Sequence, residues 1–255
     1  MIQKTARFIL AALGYRLSRL HNTTAATAAL PDIPDRDCYV PLECNNALLF
    51  RPWLRDKPFN DILQSVRCSS LVSADRFHVL WTLARQASLL SGDFVECGVY
   101  KGGTARLLAE IIANSGNSKR LHLFDTFAGM PRTGGMDIHQ QGDFSDTSLG
   151  KVKNFVGHDD YVQFYPGLIP DTFAGLDHIR IAFAHVDVDI FQSVMDCCTF
   201  IYPRLIDGAF MIFDDYGFPT CPGARQAVDT FFDDKLEQPL VLPTGQAVVF
   251  KSPHR

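Results

Sequence analysis

Residues 92–105 read GDFVECGVYKGGTA, and the meaning of this stretch sets the reading of the whole chain. A short apolar run, Phe94 to Cys97, meets Gly98. A helical pattern follows from about Gly103 to Ala113, with Leu107, Leu108, Ile111 and Ile112 on one face. A strand that turns on glycine into a helix is the building unit of an open α/β sheet, whose ligands bind outside the carboxyl ends of its strands. Glycine lets such a turn close tightly and lets the backbone approach a ligand. The spacing is neither GxGxxG nor GxxxxGK[ST], which argues against a dinucleotide or phosphate loop.

Outward from this turn the pattern repeats. Upstream, Ser73 to Asp75 reads as a helix start, with Phe77, Leu80, Trp81, Ala84 and Leu89 as its stripe. Downstream, buried strands are expected at 121–124, 162–165, 179–186 and 209–213, with helices between them at about 147–157, 191–203 and 222–235. The chain closes with 240–242 and 247–250 around Pro-Thr-Gly, a terminal hairpin. Seven strands alternating with helices in this way predict an α/β fold, a mainly parallel sheet covered on both faces.

The amino-terminal part is different. In MIQKTARFILAALGYRLSRL, apolar residues recur at helical spacing among Lys4, Arg7, Arg16 and Arg19, so residues 1–21 are expected to form an amphipathic helix. Packing of that helix on the main domain or a partner subunit is favoured over contact with an anionic membrane surface. Its apolar stretch is short for a signal peptide. Residues 22–70, punctuated by Pro31, Pro34, Pro41, Pro52 and Pro58, read as a linker and cap-like extension, with Phe50, Trp53 and Phe59 docking on something apolar. The main domain is expected over 71–255.

Composition bounds the function. The formal net charge of −4 gives no electrostatic footprint for nucleic acid. Seven cysteines, an odd number without CxxC spacing, suit a reduced, cytoplasmic protein, and Cys197 and Cys198 read as buried small hydrophobes.

Two constellations carry chemistry. The first is the glycine turn itself. Glu96, two residues before Gly98, disfavours a phosphate and suits a cationic or amine-bearing ligand, which S-adenosylmethionine would supply. Asp125, ending the next strand, is placed for ribose hydroxyls. The cofactor candidates are thus Glu96, Gly98, Tyr100, Gly102, Thr104 and Asp125; the plain alternative is a tight turn with Glu96 capping a helix. The second is a pair of acid clusters, Asp187 with Asp189 and Asp214 with Asp215, each ending an apolar strand. Crowded carboxylates need a cation or a proton, and oxygen donors favour Mg2+, Mn2+ or Ca2+ over zinc. A metal on Asp187, Asp214 and Asp215 would acidify an acceptor hydroxyl, and Asp187 could take its proton. The plain alternatives are turn aspartates at 214–215 and a helix N-cap at 187–189, with Asp189 the most structural of the four. His185 and His139 are not assigned as ligands.

With these residues in view, the chain resembles the macrocin O-methyltransferase family, which includes sugar O-methyltransferases of antibiotic pathways. The resemblance runs from about Leu71 to Val249. It rests on GDFVECGVYKGGTA, LFDTFAGMP, FYPGLIPDTF, HVDVDIFQS, YPRLIDGAFMIFDDYG and ARQAVDTFF in that order. It implies a Rossmann-like class I methyltransferase fold, S-adenosylmethionine at Glu96, Gly98, Gly102 and Asp125, and Mg2+ or Mn2+ at Asp187, Asp214 and Asp215, with Asp187 as base. It further implies a lid over 126–146, a small-molecule or glycosylated acceptor, and a homo-oligomer. Val188 and Phe191 stand where the family often has glycine and tyrosine, so the acceptor surroundings differ. The competing readings are a Mg2+-dependent methyltransferase of phenolic or catechol-like acceptors and a non-catalytic S-adenosylmethionine-binding protein. A nicotinamide oxidoreductase is disfavoured by the glycine spacing.

Overall fold

The computed structural model describes residues 51–253. The expected helix over 1–21 and the extension up to residue 50 lie outside these residues. The described part of the extension is helical. After a 3-10 turn at Pro52–Arg55, helix α1 runs over Lys57–Val66, capped by Asp56, whose side chain accepts from Phe59 N. Its buried face, Phe59 and Val66, packs on α2 (Ala74–Ala87). Phe59 lies edge-on to His78, and Trp81 Nε1 donates to Asp56 at 3.2 Å. Of the prolines that suggest a linker, Pro52 and Pro58 instead open helices, where a missing N–H costs nothing.

The sheet then follows the expected alternation. Strand β1 (Asp93–Cys97) leads through the glycine turn into α3 (Gly103–Ser115), then β2 (Leu121–Asp125), α4 (Leu149–Val156) and β3 (Val162–Pro166). After these come β4 (Ile181–Val186), α5 (Phe191–Ile201), β5 (Leu205–Phe213), α6 (Pro222–Phe232), β6 (Leu240–Val241) and β7 (Ala247–Phe250). The strand order is β3-β2-β1-β4-β5-β7-β6, with the first five strands parallel and β7 antiparallel to both neighbours. This is the mainly parallel seven-stranded sheet with a terminal hairpin. Strand β4 is buried at every position, as a central strand covered on both faces must be. Cys197 and Cys198 are fully buried on α5. No helix of the described residues is long and apolar enough to cross a membrane.

Two boundaries differ from expectation. Strand β5 begins at Leu205, four residues early, because Asp207 and Gly208 hide its first half from an apolar-run reading. The register between β4 and β5 shifts there. Asp187 and Asp189 do not cap α5; its first N–H, from Phe191, is taken by Asp137 Oδ1 at 2.9 Å, reaching over from the lid segment.

Candidate active site

The carboxyl ends of β1, β2, β4 and β5 meet beneath one cleft, where the strand order reverses between β1 and β4. Switch points of this kind are where open α/β sheets hold ligands. Gly98, Tyr100, Thr104, Asp125, Asp187 and Asp215 all line it. Gly98 is required for the close approach of two turns. Its φ is +85°, and a Cβ there would lie 1.7 Å from the carbonyl oxygen of Asp187. That carbonyl is held in place because Asp187 N donates to Cys97 O at 2.8 Å.

Asp125 organises the glycine turn. Its Oδ2 accepts the N–H groups of Val99 and Tyr100 at 2.7 and 2.8 Å, and Oδ1 accepts Phe127 N at 2.6 Å. Thr126 Oγ1 also lies 3.5 Å from Oδ1 but donates its one proton at 2.6 Å to Gly129 O, so the second lone pair of Oδ1 keeps capacity for a ligand hydroxyl.

Two cofactor candidates, Glu96 and Gly102, are not among the residues that line the cleft. Glu96 is fully buried behind the floor, with Oε1 2.9 Å from His185 Nδ1 and Oε2 without a partner. Gly102 faces Val152 and Val156 of α4. Alternation along β1 explains Glu96: its side chain lies on one face of the sheet beside that of His185, its register partner on β4.

The acids divide into two kinds. Asp214 is tied down on every side: Arg76 Nη1 pairs with Oδ2, while Gln246 Nε2 donates to Oδ1 at 2.7 Å and His185 Nε2 lies 3.4 Å from it. Burial works to raise its pKa, but His185, Arg76 and Gln246 together hold it below the ordinary carboxylate value. Burial likewise opposes protonation of His185, yet Asp214 and Glu96 outweigh it and push its pKa up to about 10. For Asp187, Asp189 and Asp215 the compensating interactions are outweighed. Burial raises all three; for Asp187 the charge of Asp214 adds most, and for Asp215 those of Asp189 and Asp187. No hydrogen bond from the described residues reaches the Asp187 carboxylate, whereas Asp215 Oδ2 accepts Asp189 N at 3.1 Å.

This donor set fits a hard divalent cation. Oxygen ligands dominate, negative charge exceeds the cations nearby, and both Arg76 and His185 face Asp214. Ligand atoms of Asp187, Asp214 and His185 lie within 4.8 Å of one another; Asp215 is outside that group. Asp214 Oδ2 accepts only Arg76 and so keeps one lone pair.

Arg76, Gln246 and the lid residue His139 went unassigned in the sequence. Arg76 left a faint signal, a lone cation on the helix face that carries Leu80 four residues on. Lid residues Gly129, Met130, Pro131, His139 and Phe144 line the cleft, and Asp146 binds Tyr100 Oη at 2.7 Å and pairs with Lys101.

The chain is similar to known proteins. The family model described as macrocin-O-methyltransferase (TylF) matches residues 68–252. The 8-demethyl-8-(2,3-dimethoxy-alpha-L-rhamnosyl)-tetracenomycin-C 4'-O-methyltransferase of Streptomyces olivaceus is 33% identical over 146 residues, 52% of this chain and 56% of that protein. Mycinamicin III 3''-O-methyltransferase of Micromonospora griseorubida is 34% identical over 157 residues, 56% of this chain and 61% of that protein. The chain thus spans less than two thirds of the length of these curated relatives. Among solved structures, the O-methyltransferase NovP superposes with a TM-score of 0.64 at 24% identity, covering 72% of this chain and 83% of that one, a likeness in fold.

Proposed function

The chain belongs to the macrocin-O-methyltransferase family, and from that premise we propose that it moves the methyl group of S-adenosylmethionine to a hydroxyl of a sugar or glycosylated natural product, with Mg2+ or Mn2+ activating the hydroxyl. The observation that carries the reading is the crowding of Asp187, Asp189 and Asp215 at the cleft floor while Arg76 and His185 face Asp214.

In this reading Gly98, Tyr100 and Thr104 seat the cofactor and Asp125 Oδ1 receives a ribose hydroxyl, while Glu96 and Gly102 support the turn from behind. Asp187, Asp214 and Asp215 would hold the cation, Asp214 through the acceptor capacity that Arg76 leaves on Oδ2. A bound divalent cation lowers the pKa of a coordinated hydroxyl and orients its oxygen. The Asp187 carboxylate, which receives no hydrogen bond from the described residues, would take the hydroxyl proton. The row Glu96–His185–Asp214–Arg76 fixes the floor from behind and keeps Asp214 ionised. Leu71, Val72, Met130 and Phe218 line the cleft and exclude water from the transfer. Exposed Leu236, Leu240, Val241 and Phe250 near the sheet edge support a homo-oligomer.

The test is a panel of glycosylated and phenolic acceptors incubated with S-adenosylmethionine and Mg2+ and scored by product mass. Methylation of glycosylated acceptors, lost on EDTA treatment or in Asp187→Ala, is expected, with cofactor binding by calorimetry retained in the variant. Wild-type turnover in Asp187→Ala, or activity indifferent to EDTA, overturns the metal mechanism. Binding of NAD without response to S-adenosylmethionine overturns the whole reading.

A further inference from the structure

Beside the oxygen-rich floor lies a second cluster of different chemistry. His139 Nε2, from the lid segment, is 3.6 Å from Asp189 Oδ1. Cys221 Sγ is 3.4 Å from the same oxygen and 3.7 Å from His139 Nε2. The three atoms form a nearly equilateral triangle, and all three residues line the cleft.

The Cys221 thiol donates to Asp189 Oδ1, while both contacts of His139 Nε2 are long for hydrogen bonds. Asp143 Oδ2 lies 3.1 Å from His139 Nδ1 and also accepts Gln140 N at 3.0 Å. A carboxylate accepts only, so Nδ1 carries the ring proton. In the neutral ring, Nε2 then turns a lone pair toward the Asp189 oxygen and the Cys221 sulfur; the thiol proton of Cys221 satisfies Asp189 Oδ1, and a cation that displaces that proton would be faced by all three donor atoms. The distances suit one. With bonds of about 2.0–2.3 Å, a tetrahedral zinc shell of nitrogen, oxygen and sulfur places its ligand atoms about 3.3–3.7 Å apart.

From this geometry we infer that His139, Asp189 and Cys221 form a site for a thiophilic divalent cation of the Zn2+ class, with its fourth position open to the cleft. Three further features serve it. Asp143 on the far ring nitrogen is the carboxylate–histidine–metal arrangement that fixes the tautomer and strengthens the donor. Cys221 is the N-cap of α6, with Thr220 Oγ1 3.5 Å from its sulfur; burial and the charges of Asp215 and Asp189 raise its thiol pKa, so the thiolate would form only as the cation binds. Asp189 has φ +59°, with its N–H on Asp215 and its Oδ1 3.6 Å from His139 Nε2. One histidine, one carboxylate and one thiolate neutralise a divalent ion, and binding releases the thiol proton. The cation would staple the lid to the β4–α5 turn and to α6. This assignment stands whether or not the methyl-transfer reading holds.

The full chain, stripped with a chelator and kept in excess Mg2+ to saturate oxygen-only sites, is titrated with Co2+ and then Zn2+. One Co2+ per chain is expected, with a thiolate-to-cobalt charge-transfer band and tetrahedral d–d bands, both abolished by one equivalent of Zn2+. Cys221→Ser removes the charge-transfer band and weakens Zn2+ binding about 100-fold or more. Asp143→Asn, on a side chain 44% exposed, leaves the fold intact and weakens Zn2+ about 10–100-fold. Absence of the charge-transfer band in the wild-type chain, or Zn2+ affinity unchanged in both variants, overturns the assignment.

Discussion

Replacing Arg76 with methionine tests the buried electrostatics on which the cleft floor rests. The pair it breaks is deeply enclosed: the Arg76 side chain is 10% exposed and that of Asp214 is 0%. Methionine retains the apolar stem but leaves Asp214 without its guanidinium, and it removes the bond to Leu71 O at 3.0 Å and the stacking on Phe218. Removing one partner of a buried ion pair costs about 3–5 kcal/mol. Gln246 and His185 still face Asp214, so the lower end, about 3 kcal/mol, is expected. For a domain of this size each kcal/mol is worth about 2–4 °C, which puts the fall in melting temperature at about 6–12 °C. Urea unfolding, followed by fluorescence of Trp53 and Trp81 with EDTA present, measures it. The sharper arm is the double variant Arg76→Met/Asp214→Asn, in which no unpaired charge is buried and more than half of the loss returns. A single-variant cost below about 1 kcal/mol, or a strictly additive double variant, refutes the pairing argument.

Other outcomes follow from the same coordinates. Gly98→Ala is expected to cost more than about 4 kcal/mol, because its Cβ meets the Asp187 carbonyl as well as an unfavourable φ. Gly116→Ala, at φ +69° with nothing within 4 Å, isolates the conformational part and costs only about 1–2 kcal/mol; equal costs by urea denaturation would refute the contact. Burial tends to raise Glu237, yet hydrogen bonds from Tyr202 and Lys251 outweigh it and hold its pKa at about 2. A carboxyl depressed in the folded state contributes stability above its unfolded value, near 4.5, and loses it as pH falls toward 2. Glu237→Gln should therefore flatten the stability–pH curve in that window, while an unchanged slope would exclude Glu237 as its source.

Much of this fold is legible in one dimension. Strands β1 to β4 stand out as apolar runs because both faces of a parallel sheet are covered, and the glycine turn after β1 declares itself by composition. The start of β5 is hidden because Asp207 and Gly208 sit at its exposed end, and α1 because its prolines suggest a linker. The acids at 187–189 and 214–215 are visible as strand-terminal clusters, so their convergence follows once the strands are parallel neighbours.

What the linear pattern leaves open is where each carboxylate points. Glu96 and Asp214 look like their neighbours in the sequence, yet one is buried on His185 and the other is held by Arg76, a residue 138 positions away. His139, Asp189 and Cys221 are likewise brought together from a lid, a turn and a helix cap. Periodicity depends on the local solvent boundary and can be read along the chain. Charge compensation and ligand geometry depend on distances of a few ångströms between remote segments, and only the folded chain sets those.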